Sequence, residues 1–100
     1  MRRIGLIVMK QNKITRSAIG KTCTLRLGSC SSDETVVLCH LGRKRGMAFK
    51  CNDIIACYGC FNCHQIEENK ADPRCTFEDR LRALEETQLI MIEEGLITIK

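Results

Sequence analysis

The chain contains no tryptophan and only four aromatic residues, Phe49, Tyr58, Phe61 and Phe77. Its core therefore has to come from Ile, Leu, Val and Met, which gather mainly towards the two ends. No apolar run approaches the roughly 20 residues a membrane-spanning helix requires. Internal repeats and low-complexity tracts are also missing. The N-terminus imitates a secretory signal, with Arg2 and Arg3 ahead of an apolar stretch from Ile4 to Met9. That stretch is shorter than the roughly 7–15 residues of a signal core, and no small-residue cleavage site follows it. It runs instead into Lys10-Gln11-Asn12-Lys13. The expected location is the cytoplasm.

Eight cysteines are the main surplus. In an exported chain they would form a disulfide framework, and in a cytoplasmic one they are metal ligands or free thiols. Metal is the reading adopted here. A chain of 100 residues makes one domain with a modest core, for which a metal staple is a physical remedy. The net charge of +4 is mild, but it is unevenly placed. Arg2 to Lys50 carries nearly all the excess, including Gly42-Arg43-Lys44-Arg45-Gly46. The last third is acidic, with Glu67, Glu68, Glu78, Asp79, Glu85, Glu86, Glu93 and Glu94. A basic front and an acidic rear suit a molecule that meets phosphate on one side.

Residues 1–14 read as a separate segment, strand or tail, and residues 15–100 as the domain. Thr15 to Ile19 predicts a helical turn or two, stopped by Gly20. Cys23 to Leu27 predicts a short strand, and Ser31 to Glu34 a polar loop. Thr35 to Leu41 is the best strand, β-branched and apolar, with His40 at its end. Gly42 to Asn52 predicts a loop. A short helix is expected from Cys63 to Asn69, broken by Asp72-Pro73. Thr76 with Asp79 imitates a capping box and opens a long helix. Its stripe of Phe77, Leu81, Leu84, Gln88, Met91 and Ile92 is expected to pack as scaffold. Gly95 ends it, and Leu96 to Ile99 suggests a terminal strand.

The densest stretch is Cys57-Tyr58-Gly59-Cys60-Phe61-Asn62-Cys63-His64. Cys60-x-x-Cys63 is a knuckle suited to a tetrahedral metal, with Cys23 and Cys30 as the second pair. The overlapping Cys57-x-x-Cys60 leaves a rival pair open. Cys39, Cys51 and Cys75 read as small buried hydrophobes. Cys60-x-x-Cys63-His64 also fits a c-type haem attachment, which needs export, and no export signal is evident. A redox C-x-x-C would need a βαβ setting that is absent. The two histidines, His40 and His64, each follow a cysteine. A neutral His40 can take a proton from water near neutral pH. His64 can bind a divalent cation that stabilises a leaving oxygen.

Three stretches together resemble a known family. They are Thr35-Val-Val-Leu-Cys-His-Leu41, then Gly46-x3-Lys50-x2-Asp53-Ile-Ile-Ala56, then Cys60-x-x-Cys63-His64. The likeness continues through Glu86-Thr-Gln-Leu-Ile-Met-Ile-Glu-Glu-Gly95-Leu-Ile97. The chain resembles the YbcO-like family of lambdoid phages and prophages, which are named as nucleases and belong with the HNH, or His-Me finger, endonucleases. The resemblance covers about residues 15–97. It implies an α+β fold, a small zinc-stabilised ββα-metal, treble-clef-like domain with a C-terminal helix. It implies His40 as general base, Asp53 or Asn52 as the residue orienting it, and His64 as ligand to Mg2+ or another catalytic divalent cation. It places Cys23, Cys30, Cys60 and Cys63 on structural zinc. Many HNH enzymes carry Asp or His before the base as a second metal ligand, and Cys39 stands there in this chain.

The function expected is metal-dependent cleavage of phosphodiester bonds in DNA, in phage or prophage recombination or DNA processing. Arg43, Lys44, Arg45 and Lys50 would grip phosphate. The expected partners are DNA and phage or host recombination proteins, with no membrane. The alternative is a non-catalytic zinc module binding DNA or protein.

Overall fold

The computed structural model describes residues 13–28, 30–41 and 53–98. Cys51, Asn52 and the basic residues Arg43, Lys44, Arg45 and Lys50 lie outside the described residues, as does most of the segment 1–14. Within them the order is helix α1 (Lys13–Arg16), a 3-10 turn (Asp33–Thr35), strand β1 (Val37–His40), strand β2 (Ala56–Gly59), helix α2 (Phe61–Glu68) and helix α3 (Phe77–Glu93). The chain is thus a small α+β unit with a two-stranded sheet. None of its described helices is long and apolar enough to cross a membrane.

β1 and β2 pair antiparallel, with Val37 opposite Gly59 and His40 opposite Ala56. Strand alternation places Cys39, Cys57 and Gly59 on one face, and Leu38, His40, Ala56 and Tyr58 on the other. Tyr58 is fully buried, and its hydroxyl shares a 2.7 Å hydrogen bond with Ser17. That contact ties the turn after α1 to the sheet. The helix begins two residues earlier than the sequence predicts, and turns follow to Gly20, whose φ of 80° is open to glycine.

The expected strand over Cys23–Leu27 is not formed. Thr24 bonds to β2 by donating its amide to the Tyr58 carbonyl at 2.7 Å. Two residues later Arg26 turns to φ 45°, which breaks any extended run. That turn directs the Arg26 amide at Cys23 Sγ, 3.5 Å away, a local contact that an extended run would not make.

α3 has the predicted start. Thr76 Oγ1 accepts from the Asp79 amide, and the Asp79 carboxylate accepts from the Thr76 amide. Its end is a Schellman motif: Leu96 N–H reaches the Met91 carbonyl and Gly95 N–H reaches Ile92, with Gly95 at φ 77°. This consumes the amides of Leu96 and Ile97, so residues 96–98 form no terminal strand.

The expected apolar stripe is also displaced. Of that stripe Met91 is buried as expected, but Phe77, Leu81 and Ile92 are 77%, 48% and 37% exposed, and Ala83 and Thr87 are buried in their place. The helix is turned so that small residues approach β2 closely. There Thr87 Oγ1 accepts from the Tyr58 amide at 3.2 Å and bonds Thr24 Oγ1 at 3.0 Å. Two buried hydroxyls satisfied in this way hold the rotation that the apolar pattern alone would not choose.

α2 starts at Phe61, two residues before the sequence suggests, because Cys60 caps it: Cys63 N–H donates to Cys60 Sγ. It ends at Asn69, whose amide returns to Ile66, well before Pro73. The buried Glu67 fastens α2 to α3 by accepting from Lys70 Nζ at 2.7 Å and Arg80 Nε at 3.3 Å.

Candidate metal centre and histidine sites

Cys23, Cys30, Cys60 and Cys63 converge, with all four sulfurs within 4.8 Å of one another. A tetrahedron with zinc–sulfur bonds of about 2.3 Å separates its sulfurs by about 3.8 Å. Cys30 Sγ lies 3.7 Å from Cys63 Sγ, so the set fits. Four thiolates are the soft donors that zinc takes in closed structural sites. Among the described residues this is the one group of three or more such side chains able to hold a metal ion.

Local structure explains the convergence. Backbone amides line the cluster: Arg26 and Cys60 donate to Cys23 Sγ, Ser31 and Cys63 to Cys60 Sγ, and Leu27 to Cys63 Sγ, at 3.2–3.5 Å. Helix α3 holds the first pair from behind. Arg26 and Glu86 form a bidentate pair, both contacts at 2.7 Å, and Arg82 donates to the carbonyls of Thr24 and Leu25. These outer contacts fix where the thiols point, as second-shell bonds do at metal sites.

The thiols differ in acidity. Burial pushes Cys60 up, but the amides of Cys63 and Ser31 together with the thiols of Cys63 and Cys23 outweigh it, and the thiol falls to about 7. Burial raises Cys30 and Cys63. Without a cation, four neighbouring thiolates repel each other; a bound divalent ion reverses that balance and deprotonates its ligands.

The rival Cys57 is excluded from this group. It sits in β2 opposite Cys39, and both are buried. Hydrogen bonding to Cys39, then burial, raises the Cys57 thiol well above its ordinary value. Cys39 and Cys75 are buried at 1% and 4%, consistent with small hydrophobes.

His40 closes β1, and its Nε2 lies 2.8 Å from Asp53 Oδ1, at the start of the segment leading into β2. The histidine side chain is 36% exposed and the aspartate 17%, so the pair is sheltered but reachable. His64 lies in the first turn of α2, 3.2 Å from Glu68 Oε2 one turn on. The i, i+4 spacing was legible as a shared helix face, yet Glu68 was passed over as surface charge.

No described group of three metal-binding side chains includes either histidine. α2 lies over the Cys39 face of the sheet: a Cβ on Gly59 would come within 2.7 Å of Cys39 Sγ and 3.8 Å of the His64 amide. Cys39, rather than His40, is therefore the β1 residue that looks towards α2.

A family model described as "Putative nuclease YbcO" matches residues 12–98. The chain belongs to the YbcO family. No curated protein and no solved structure matches it. Every described residue of this YbcO-family chain lies inside the match, including the four clustered cysteines and both histidine pairs.

Proposed function

We propose that this chain is a metal-dependent endonuclease of the HNH type that hydrolyses phosphodiester bonds in DNA, in phage or prophage DNA processing. The observation that carries the reading is the His40–Asp53 contact of 2.8 Å at the end of a strand, in a chain of a nuclease family. With His40 Nε2–H donating to Asp53, Nδ1 keeps the lone pair and takes the proton from the attacking water. Asp53 fixes the tautomer and the ring, as an orienting carboxylate does.

His64 and Glu68 are the residues that would hold the catalytic divalent ion, with Cys39 on the same side of the sheet. A divalent cation bound there supplies Lewis acidity to the scissile phosphate and the leaving oxygen. An imidazole, a carboxylate and a thiol favour Mn2+, Ni2+ or Zn2+ over Mg2+. Arg43, Lys44, Arg45 and Lys50 contribute phosphate contacts, and Asn52 supports the loop. The cysteine cluster holds structural zinc and positions α2.

The test is plasmid nicking by purified protein with Mg2+, Mn2+, Ni2+ or Zn2+. His40→Ala should lose on the order of 10²–10⁴-fold in rate, the usual share of general-base catalysis. Equal cutting by His40→Ala, or none by the wild type with any metal, would sink the reading.

A second reading has its own support. Cys39 occupies the position where HNH enzymes often carry a hard ligand, and no third ligand joins His64 and Glu68 among the described residues. A zinc-stabilised module that binds DNA or a recombination protein without cutting accounts for both. DNA retention in a mobility-shift assay without nicking would select it.

A further inference from the structure

The four cluster cysteines are unequal in a way that their ligand role does not require. Cys23, Cys60 and Cys63 are 2%, 0% and 0% exposed, whereas Cys30 is exposed to solvent. Cys30 Sγ lies 3.7 Å from Cys63 Sγ. Cys23 and Cys60 sulfurs each accept two backbone amides, while Cys63 accepts one, from Leu27. Each amide withdraws charge from the sulfur it meets, so Cys63 is the best nucleophile of the buried three.

We propose that Cys30 is a modification site for hydroperoxides, and that its oxidation closes a Cys30–Cys63 disulfide and releases the metal. This rests on the reading of the cluster as a zinc site. The hydroperoxide transfers its terminal oxygen to the Cys30 sulfur; the O–O bond breaks, and the alkoxide or hydroxide released takes a proton. Cys30 is then a sulfenic acid. The Cys63 thiolate attacks that sulfur, the S–S bond forms, the S–O bond breaks, and hydroxide leaves to become water. Two thiolates have lost two electrons in all, and the hydroperoxide has gained two electrons and two protons. Cys23 and Cys60 remain as ligands, too few for a closed tetrahedral site.

The experiment begins with elemental analysis of the purified full chain, because a zinc-free folded protein defeats the metal reading separately from this one. Zinc-loaded protein is then treated with hydrogen peroxide, zinc release is followed with a colorimetric chelator, and disulfides are mapped by peptide mass spectrometry. The expected result is release in step with a Cys30–Cys63 linkage. Cys30→His keeps a ligand at the position and should slow release at least tenfold, while Cys75→Ser, outside the cluster, should leave the rate unchanged. Release at the wild-type rate from Cys30→His, or a disulfide between another pair, overturns the proposal. Should Cys30→His fail to bind zinc, limiting iodoacetamide on the loaded wild type decides. First labelling at Cys30 upholds the proposal, and first labelling elsewhere ends it.

Discussion

Gly59 is the residue on which the closest packing depends. A methyl group there would meet Cys39 Sγ at 2.7 Å and Leu25 Cδ1 at 3.0 Å. Cys39 is 1% exposed and cannot swing into solvent. Overpacking of this kind costs about 1–3 kcal/mol, so Gly59→Ala should lower the urea midpoint accordingly. Because the first clash is with one sulfur, Cys39→Ala should relieve part of it. A double-mutant cycle in which the two changes simply add would refute that account.

At the scale of elements, α3 is the best test of capping. Replacing Thr76 with Ala removes the acceptor for the Asp79 amide and should cost on the order of 1 kcal/mol, read from denaturant midpoints. The reciprocal half depends on pH. The Thr76 amide and hydroxyl hold the Asp79 carboxyl below its ordinary range in the folded chain. A group lowered in this way adds stability above its unfolded pKa of about 3.9, and that part fades as pH falls through the folded value. The difference in midpoint between wild type and Asp79→Asn should therefore shrink from about pH 5 to about pH 3. A constant difference would mean that the box contributes nothing through charge.

Elements whose signals are local were legible in the sequence. The capping box at Thr76, the strand ending at His40 and the helix after Cys60 all depend on residues a few positions apart. What was missed depends on distant partners. Cys23 to Leu27 has strand residues, but the cluster demands the reversal at Arg26. The apolar stripe of α3 predicts one buried face, while Thr87 and its bonds to Thr24 and Tyr58 select another. Leu96 to Thr98 looks extended until the Schellman bonds use its amides. For the metal cluster, Cys57-x-x-Cys60 and Cys60-x-x-Cys63 have the same spacing, and only strand register against a helix cap distinguishes them. Glu68 differed: its position one turn after His64 was there to be read.

At the scale of the molecule, a thin core lies beside one cluster of four cysteines able to hold a metal ion. Zinc binding to small modules contributes about 10–16 kcal/mol, comparable to or larger than a typical total stability of about 5–15 kcal/mol. Stripping the metal with a strong chelator should therefore abolish the cooperative unfolding transition. Tyr58 is the sole tyrosine and is fully buried, so its near-UV signal reports on the core. A metal-free chain that keeps this signal and a sharp transition would show that packing alone suffices.

The join at Thr24, Tyr58 and Thr87 bears on self-association. A two-stranded sheet has two outer edges, and an open edge is a template for pairing with another chain. On the β2 side the amide and carbonyl of Tyr58 are already occupied by the two threonines, so that edge is closed without a third strand. Exchanging both threonines for valine would keep their shape and free the Tyr58 amide, while the Thr24 amide would still hold the Tyr58 carbonyl. The resulting chain would still have its four clustered cysteines, and its characteristic fault would be aggregation through the one amide left open on that edge.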